Sequence, residues 1–347
     1  MFENSPKKLG FIFPAEWEKQ KSIWFSWPHN LDTWPGKLDT APKVFAKIIS
    51  EICETEFVNI NVVDEKMDLE VNNILSKHPT TKNNFATHLI PTNDAWCRDH
   101  GPAFIINRTT KEKAIVDWDY NALGGKYPPF DLDDIVPTKI GEKFGLKIFY
   151  PGIIMEGGAI DVNGEGCLLT SKSCLLNKNR NPHLTQNEIE NYLKEFYGQE
   201  KILWLDEGIV GDDTDGHIDD IARFINPTTI VACVEEDTDD ENYNILQENL
   251  QQLQKMQNQN NENFRILELP MPGVVEYKNQ RLPASYANFL ITNKKVLVPV
   301  FNHKNDLQAI EILQKEFLNR KVVGIDCVDL VWGLGTIHCI SQQEAEI

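Results

Sequence analysis

The chain has 347 residues, 52 of them acidic against 34 basic, giving a net charge of −18. That balance argues against nucleic acid, which needs clustered lysine and arginine, and suits a small cationic partner. The 41% hydrophobic and 25% charged content is that of a globular chain. There is no apolar run long enough for a bilayer and no apolar leader, and the seven cysteines contain no C-x-x-C, so a reducing, cytoplasmic setting is expected.

Residues 22–27 predict a buried strand ended by Pro28. A helix follows, with Thr40 as its cap, Pro42 in its first turn, and Val44, Phe45, Ile48, Ile49 and Ile52 at helical spacing. Residues 58–63 alternate as a strand, and 67–77 predict a weaker helix. A pattern then repeats. Strands at 103–107 and 114–118 read as a hairpin, followed by a helix at 138–144 and a strand at 147–150. Next come 159–162, the turn Asn163-Gly164, and 167–170. The helix of that unit opens with the capping box of Thr185 and Glu188 and stops at Gly198, and 202–205 closes it. The third unit is 221–225, 230–234, a helix carrying Tyr243, Leu246, Leu250 and Leu253 on one face, and 265–269. The fourth is 286–291, 296–300, a helix at 307–318, and 322–325.

This is a β-β-α-β unit seen four times, at a spacing of roughly 55 to 65 residues. A strand expected around 337–341 would join the N-terminal strand-helix-strand to make a fifth unit from the two chain ends. Five such units in a ring form a closed α/β propeller, and no Pro/Gly/Ser-rich linker divides the chain into two domains. Polar residues recur just before the first strand of a unit: Asp99, then Glu156, then His217 with Asp219, and finally Cys339. In a closed ring, equivalent positions converge on the axis, so four distant segments would meet.

The third of these segments is the densest. Residues 211–220 hold five aspartates and one histidine, whose like charges resist burial unless a cation relieves them. His217 and Asp219 would share one face if the segment were extended. A calcium loop fails in register, because with Gly216 as its turn glycine the end positions are Gly211 and Ala222. A transition metal lacks further ligands at local spacing. An organic guanidinium remains, since its planar donors match carboxylates in pairs.

Cys339 is the candidate nucleophile, because the glycine-containing loop before it permits close approach to a ligand; a buried inert thiol is the commoner fate of a single cysteine. Cys97 is the competing thiol, between Trp96 and Arg98 in a stretch read as a wall. His338 would face away from Cys339 in an extended segment and is assigned to packing. His217 is the better acid or base. Asp99 and Asp219 would grip the guanidinium, Trp96 would stack on it, and Glu156 would orient it. Asp213, four residues before His217 in the same acidic run, is a further candidate to bind substrate.

Five motifs carry a resemblance over almost the whole chain: residues 13–18, Trp96-Cys97-Arg98-Asp99-His100-Gly101-Pro102, Met155-Glu156-Gly157-Gly158, Asp215-Gly216-His217-Ile218-Asp219 and Ile337-His338-Cys339-Ile340. The chain resembles the agmatine deiminases, of the family shared with Porphyromonas-type peptidylarginine deiminases. The resemblance implies a pentein fold, a five-fold pseudo-symmetric α/β propeller, as one catalytic domain over 1–347, with no cofactor and no metal. It implies chemistry on Asp99, His217, Asp219 and Cys339, through a covalent amidino-cysteine that water resolves. Two departures stand in the nucleophile loop, where the family usually has three glycines and an asparagine: Leu334 replaces the middle glycine and Thr336 the asparagine. Peptidylarginine deiminase, amidinotransferase and a non-catalytic guanidine or polyamine binder are the alternatives. A homo-oligomer is compatible with the sequence, which does not fix the assembly.

Overall fold

A computed structural model of the chain describes residues 4–347. Strand β1 (Gln20–Ser26) leads through α1 (Ala41–Ile52) to the parallel β2 (Phe57–Val62), and α2 (Glu65–Leu75) leads to the parallel β3 (Phe85–Leu89). The next unit pairs β4 (Ala103–Asn107) antiparallel with β5 (Glu112–Val116), then crosses through α3 (Val136–Phe144) to β6 (Lys147–Phe149), parallel to β5. The same order recurs in β7 (Ile160–Val162), β8 (Cys167–Ser171), α4 (Gln186–Tyr197) and β9 (Lys201–Leu205). It recurs again in β10 (Ala222–Asn226), β11 (Thr229–Val234), α5 (Asn242–Leu253) and β12 (Arg265–Pro270). The last full unit is β13 (Leu290–Ile291), β14 (Lys295–Val300), α6 (Asp306–Glu316) and β15 (Lys321–Asp326). Finally β16 (Ser341–Ala345) returns to pair antiparallel with β1, so one sheet has the order β16-β1-β2-β3 and holds both ends of the chain.

The helices fill the seams between successive sheets. Ile189, Leu193 and Phe196 of α4 share a core with Ile105 and Val116 of the preceding sheet, and Leu246, Leu250 and Leu253 of α5 share one with Leu169 and Leu203. Each such side chain, fully buried, contributes about 1.5–3 kcal/mol of transfer free energy. The Thr185–Glu188 capping box forms as expected, and Gly198 ends the helix in a left-handed conformation. Thr40 does not cap α1; its hydroxyl donates instead to the Lys37 carbonyl at 2.8 Å.

Three strand assignments need correction, and two of them matter for the site. Strand β3 escapes the sequence pattern because its side chains are mostly half-buried and do not alternate cleanly. Strand β13 starts at Leu290 rather than 286, because residues 285–288 turn, with the Ala287 amide donating to Ser285 Oγ. The C-terminal strand begins at Ser341, since residues 337–340 form a turn in which the Ser341 amide donates to the His338 carbonyl. Its sequence, Ser-Gln-Gln-Glu-Ala, carries no apolar alternation, yet all five residues are buried. Hydrogen bonds take the place of apolar packing there. Glu344 accepts from Ser22 Oγ at 2.6 Å, Lys113 Nζ at 2.6 Å and Trp24 Nε1 at 3.3 Å, and Gln342 donates to the Pro102 carbonyl.

Burial works against the Glu344 charge, but Lys113 and the Ser22 hydroxyl outweigh it and hold the carboxyl below the usual range. A depressed carboxylate contributes stability that is present above its unfolded pKa, about 4.3, and lost as the pH falls through the folded value. Glu344→Gln is expected to cost about 2 kcal/mol at neutral pH, because it leaves Lys113 buried without its counter-charge. Urea unfolding should show the gap between wild type and variant narrowing as the pH falls from 5 to about 3. A gap independent of pH would place the effect in packing alone.

Candidate active site

The segments that precede the first strands do meet. The short helix Cys97–His100 lies before β4, and its Arg98 amide donates to the Cys339 carbonyl at 3.0 Å. Gly158, before β7, donates its amide to Asp99 Oδ1 at 2.9 Å. A Cβ on Gly158 would lie 2.6 Å from His217 Nδ1, 2.8 Å from Asp99 Oδ1 and 3.2 Å from Asp219 Oδ2, so only a glycine lets these three side chains close over one backbone. His217 Nδ1 stands 3.6 Å from Asp99 Oδ1. Cys339 Sγ is 3.9 Å from Asp219 Oδ2 and receives a 3.1 Å hydrogen bond from Asn288 Nδ2.

Asn288 escaped the sequence reading. It sits just before β13, the counterpart of Asp99 and His217 in the one unit to which no site residue had been assigned. The predicted strand had covered it, and the turn at 285–288 frees it. Its amide also donates to Asp220 Oδ1 at 3.0 Å, and its oxygen accepts from the His338 amide and from Thr336 Oγ1. Thr336 thus couples the nucleophile loop to Asn288. Leu334 keeps the left-handed backbone a glycine would supply, at φ +72°, a conformation uncommon for a leucine. A Cβ on the next residue, Gly335, would lie 2.6 Å from the Trp96 ring and 3.1 Å from Cys339 Cβ, which places Trp96 beside the thiol.

The acidic run is not extended. Ile218–Asp220 form a single 3-10 turn, so His217 and Asp219 are brought together by that turn and by Gly158 rather than by strand alternation. Its aspartates have separate partners. Asp212 accepts from the backbone amides of Thr214, Gly216 and His217, and Asp215 pairs with Arg180, Lys126 and Asn179. Asp213 accepts from the Tyr127 hydroxyl, and burial followed by repulsion from Asp212 raises its carboxyl to about 6. Only Asp219 and Asp220 of the run lie at Cys339, with the carboxylates and the thiol within 4.8 Å of one another.

Six carboxyl groups, those of Glu16, Asp99, Glu156, Asp161, Asp219 and Asp220, are buried with three guanidiniums, those of Arg98, Arg180 and Arg223, and with the imidazoles of His217 and His338. Arg223 is committed to Glu16 and Asp161, and Arg180 to Glu156 and Asp215. Burial lifts Asp99 to about 7, opposed by His217 and reinforced by Asp219 and Glu156. Burial and repulsion from Asp219 raise Asp220 further. For His217 burial opposes the charge, but Asp99, Cys174 and Asp219 outweigh it and hold the imidazole well above its ordinary value. Buried atoms of Asp219 (Oδ1), Glu156 (Oε2) and His217 (both ring nitrogens) have no hydrogen-bond partner. Unpartnered buried acceptors of this kind suit a group that brings positive charge and donates hydrogen bonds.

Burial and the carboxylates of Asp219, Asp220 and Asp99 push Cys339 well above the ordinary thiol range, so without a cationic ligand it is held protonated. Cys97 is fully buried and pushed up to about 12, an inert wall residue as read.

His338 corrects the packing assignment. The turn at 337–340 breaks the strand geometry on which that assignment rested, and the ring bridges Asp219 Oδ2 at 2.7 Å and Glu16 Oε2 at 2.8 Å. Glu16, from the Phe13–Glu18 motif, was also missed; it further accepts from Arg223 Nη2 at 2.8 Å and the Ile291 amide at 2.6 Å. Among the described residues, two groups bring potential metal ligands together: Glu156 with Cys174 and His217, and Asp219 with Asp220 and Cys339. Cys174 lies far from His217 in sequence, so local spacing overlooked it. Arg180, 2.9 Å from Glu156 Oε1, opposes a further cation in the first group.

Gly158→Ala tests the convergence. Its methyl group would force Asp99 and His217 apart, so ammonia release from a guanidine should fall by at least about a hundredfold, while the thermal midpoint moves little. Undiminished turnover would mean that these side chains need not meet over Gly158.

Comparison with known proteins extends the picture. The family described as Porphyromonas-type peptidyl-arginine deiminase matches residues 12–345. A protein of Legionella pneumophila (strain Paris), provisionally named an agmatine deiminase, is 38% identical over 98% of this chain and 97% of its own length. The agmatine deiminase of Enterococcus faecalis superposes with a TM-score of 0.93 at 33% identity, covering 100% of this chain and 99% of that one. A cysteine-to-serine variant of the C. jejuni agmatine deiminase with substrate bound superposes at 0.87 with 34% identity, covering 96% of each chain. The chain therefore belongs to the Porphyromonas-type peptidyl-arginine deiminase family.

Proposed function

We propose that this chain is an agmatine deiminase that hydrolyses agmatine to N-carbamoylputrescine and ammonia. The observation that carries the reading is the convergence of Asp99, His217 and Asp219 over Gly158, with Cys339 Sγ 3.9 Å from Asp219, in an acid-rich buried cluster. The substrate-bound C. jejuni relative supports a small guanidine as that cation. In this reading the five sheets close into a pentein propeller, residues 1–347 act as one catalytic domain, and the unit-leading segments line the axis. The seven free thiols suit a reducing, cytoplasmic compartment.

Asp99 and Asp219 hold the guanidinium through paired hydrogen bonds, with Trp96 over it and Glu156 orienting it. The arriving positive charge offsets the carboxylates around Cys339, so the thiol loses its proton to solvent as substrate binds. The thiolate attacks the central carbon and a C–S bond forms. His217, cationic at rest, gives its proton to one nitrogen of the tetrahedral adduct, and the C–N bond breaks to release ammonia. The neutral His217 then takes a proton from water, whose oxygen attacks the amidino carbon. The C–S bond breaks as the new hydroxyl gives up its proton to the departing sulfur, returning the resting thiol and the ureido product.

Incubation with agmatine, free arginine and an arginyl peptide, followed by ammonia, tests the assignment; release from the peptide but not from agmatine would replace it with peptidylarginine deimination. Cys339→Ser should abolish turnover while agmatine still binds by calorimetry. Quenched wild type should carry an amidino adduct on the Cys339 peptide, and an adduct on Cys97 would reassign the nucleophile.

Asp213 is the proposed partner of agmatine's distal ammonium, and its negative field would disfavour arginine's carboxylate. Its contact with Tyr127 supports this by holding the carboxylate in place. Asp213→Asn should raise KM for agmatine about tenfold or more, with a smaller fall in kcat, and narrow the preference over arginine. Unchanged KM and preference would leave Asp213 as a structural partner of Tyr127 only.

A further inference from the structure

The cluster at Cys339 poses a problem that its own residues do not solve. Asp99, Asp219 and Asp220 are buried against one another, and carboxylates packed this closely cannot all stay ionised. Yet a guanidinium needs at least one firmly charged carboxylate. Asp219 is the best backed of the three. Its Oδ2 accepts from His338 Nδ1 at 2.7 Å, and the other ring nitrogen, Nε2, lies 2.8 Å from Glu16 Oε2. Both ring nitrogens face carboxylate oxygens, which only accept when ionised, so the geometry suits a ring carrying a proton on each nitrogen. Asp219 and His338 are almost fully buried, so their attraction is little screened. Glu16 is fixed in turn by Arg223, by the Ile291 amide, and by Arg98 Nη2 at 3.8 Å. The His338 backbone is anchored too, with its amide on Asn288 Oδ1 and its carbonyl accepting from Arg98 Nε.

We propose that His338 is a positioning residue: held as a cation between Glu16 and Asp219, it selects Asp219 as the ionised carboxylate of the cluster and turns it toward the substrate. The ring is not the acid or base of the reaction, because both of its nitrogens are engaged. This assignment rests on the proposed reading of Asp219 as a guanidinium ligand. The groups that face Asp219 are His338 and Cys339 from the C-terminal turn, His217 and Asp220 from its own turn, Arg98 and Asp99 from the helix before β4, and Arg223 from β10. Burial opposes the Asp219 charge, and His338 leads the groups that lower its carboxyl. Without the ring, Asp219 should ionise only at higher pH, because Asp220 and Asp99 then act on it with less to oppose them.

His338→Gln and Glu16→Gln test this in two ways. In steady-state kinetics with agmatine, His338→Gln should raise KM about tenfold or more with a smaller loss of kcat, because ground-state grip on the guanidinium is lost. The acidic limb of kcat/KM should also move to higher pH. A role confined to folding would lower the active fraction and leave both KM and the limb in place. The second test does not depend on turnover. NMR of wild-type protein labelled with nitrogen-15 histidine should show a His338 ring carrying a proton on each nitrogen, in a signal that Glu16→Gln perturbs and His338→Gln removes. If His338→Gln does not fold, the wild type and Glu16→Gln still decide the matter. A singly protonated His338 ring at neutral pH, or unchanged KM and pH limb in a folded His338→Gln, overturns the proposal. Absence of agmatine turnover in the wild type would overturn the deiminase reading, while the NMR result would still decide the His338 pair.

Discussion

Three aspartates, Asp99, Asp219 and Asp220, are buried together beside one thiol, with the imidazoles of His217 and His338 against them. Burying a single unpaired carboxylate costs several kcal/mol, so a cluster of them has to be held in place by the rest of the molecule. The holding is visible in two layers. The inner layer consists of backbone amides and side-chain amides: Gly158 on Asp99 and Asn288 on Asp220. The outer layer is ionic, with Glu16 joining His338 and Arg223, and Arg223 reaching on to Asp161. Stability given up at the cluster is recovered in these layers, and the residual charge is what a cationic substrate can use.

The same constraint explains the resting thiol. A cysteine among carboxylates is a poor nucleophile, and Cys339 is held protonated until positive charge arrives. In the proposed reaction, reactivity is thereby tied to occupancy by a cation. His217, by contrast, is charged at rest because Asp99 stands beside it. The two reactive groups are thus set in opposite senses by one set of carboxylates, an arrangement that suits a thiol that must lose a proton and an imidazole that must first give one.

Much of this was legible in the residue pattern. The repeating β-β-α-β order came from hydrophobic periodicity and turn residues, because each helix must bury one stripe and each hairpin needs a Gly- or Asn-containing turn. The positions of Asp99, Glu156, His217, Asp219 and Cys339 followed from that repeat, since each lies just before the first strand of a unit. The failures were of two kinds. Strands without an apolar signature were missed or misplaced, and the polar β16 is the clearest case because its burial is stabilised by hydrogen bonds. Misplaced boundaries then hid chemistry: a strand drawn from 286 covered Asn288, and a strand drawn through 337–341 turned His338 away from the site.

What the sequence by itself determined was the order of elements and the identity of the groups with chemical potential, because periodicity and residue type are local properties. What only the tertiary structure decided was which of those groups share a charge environment. Glu16 and His338 are separated by almost the whole chain, and Cys174 and His217 by a helix and a strand, so no local spacing could pair them. Ionisation depends on distances of a few ångströms between such segments. For that reason the sequence could name Cys339 as a thiol of interest, whereas the fold decided that it rests protonated, behind an aspartate backed by His338.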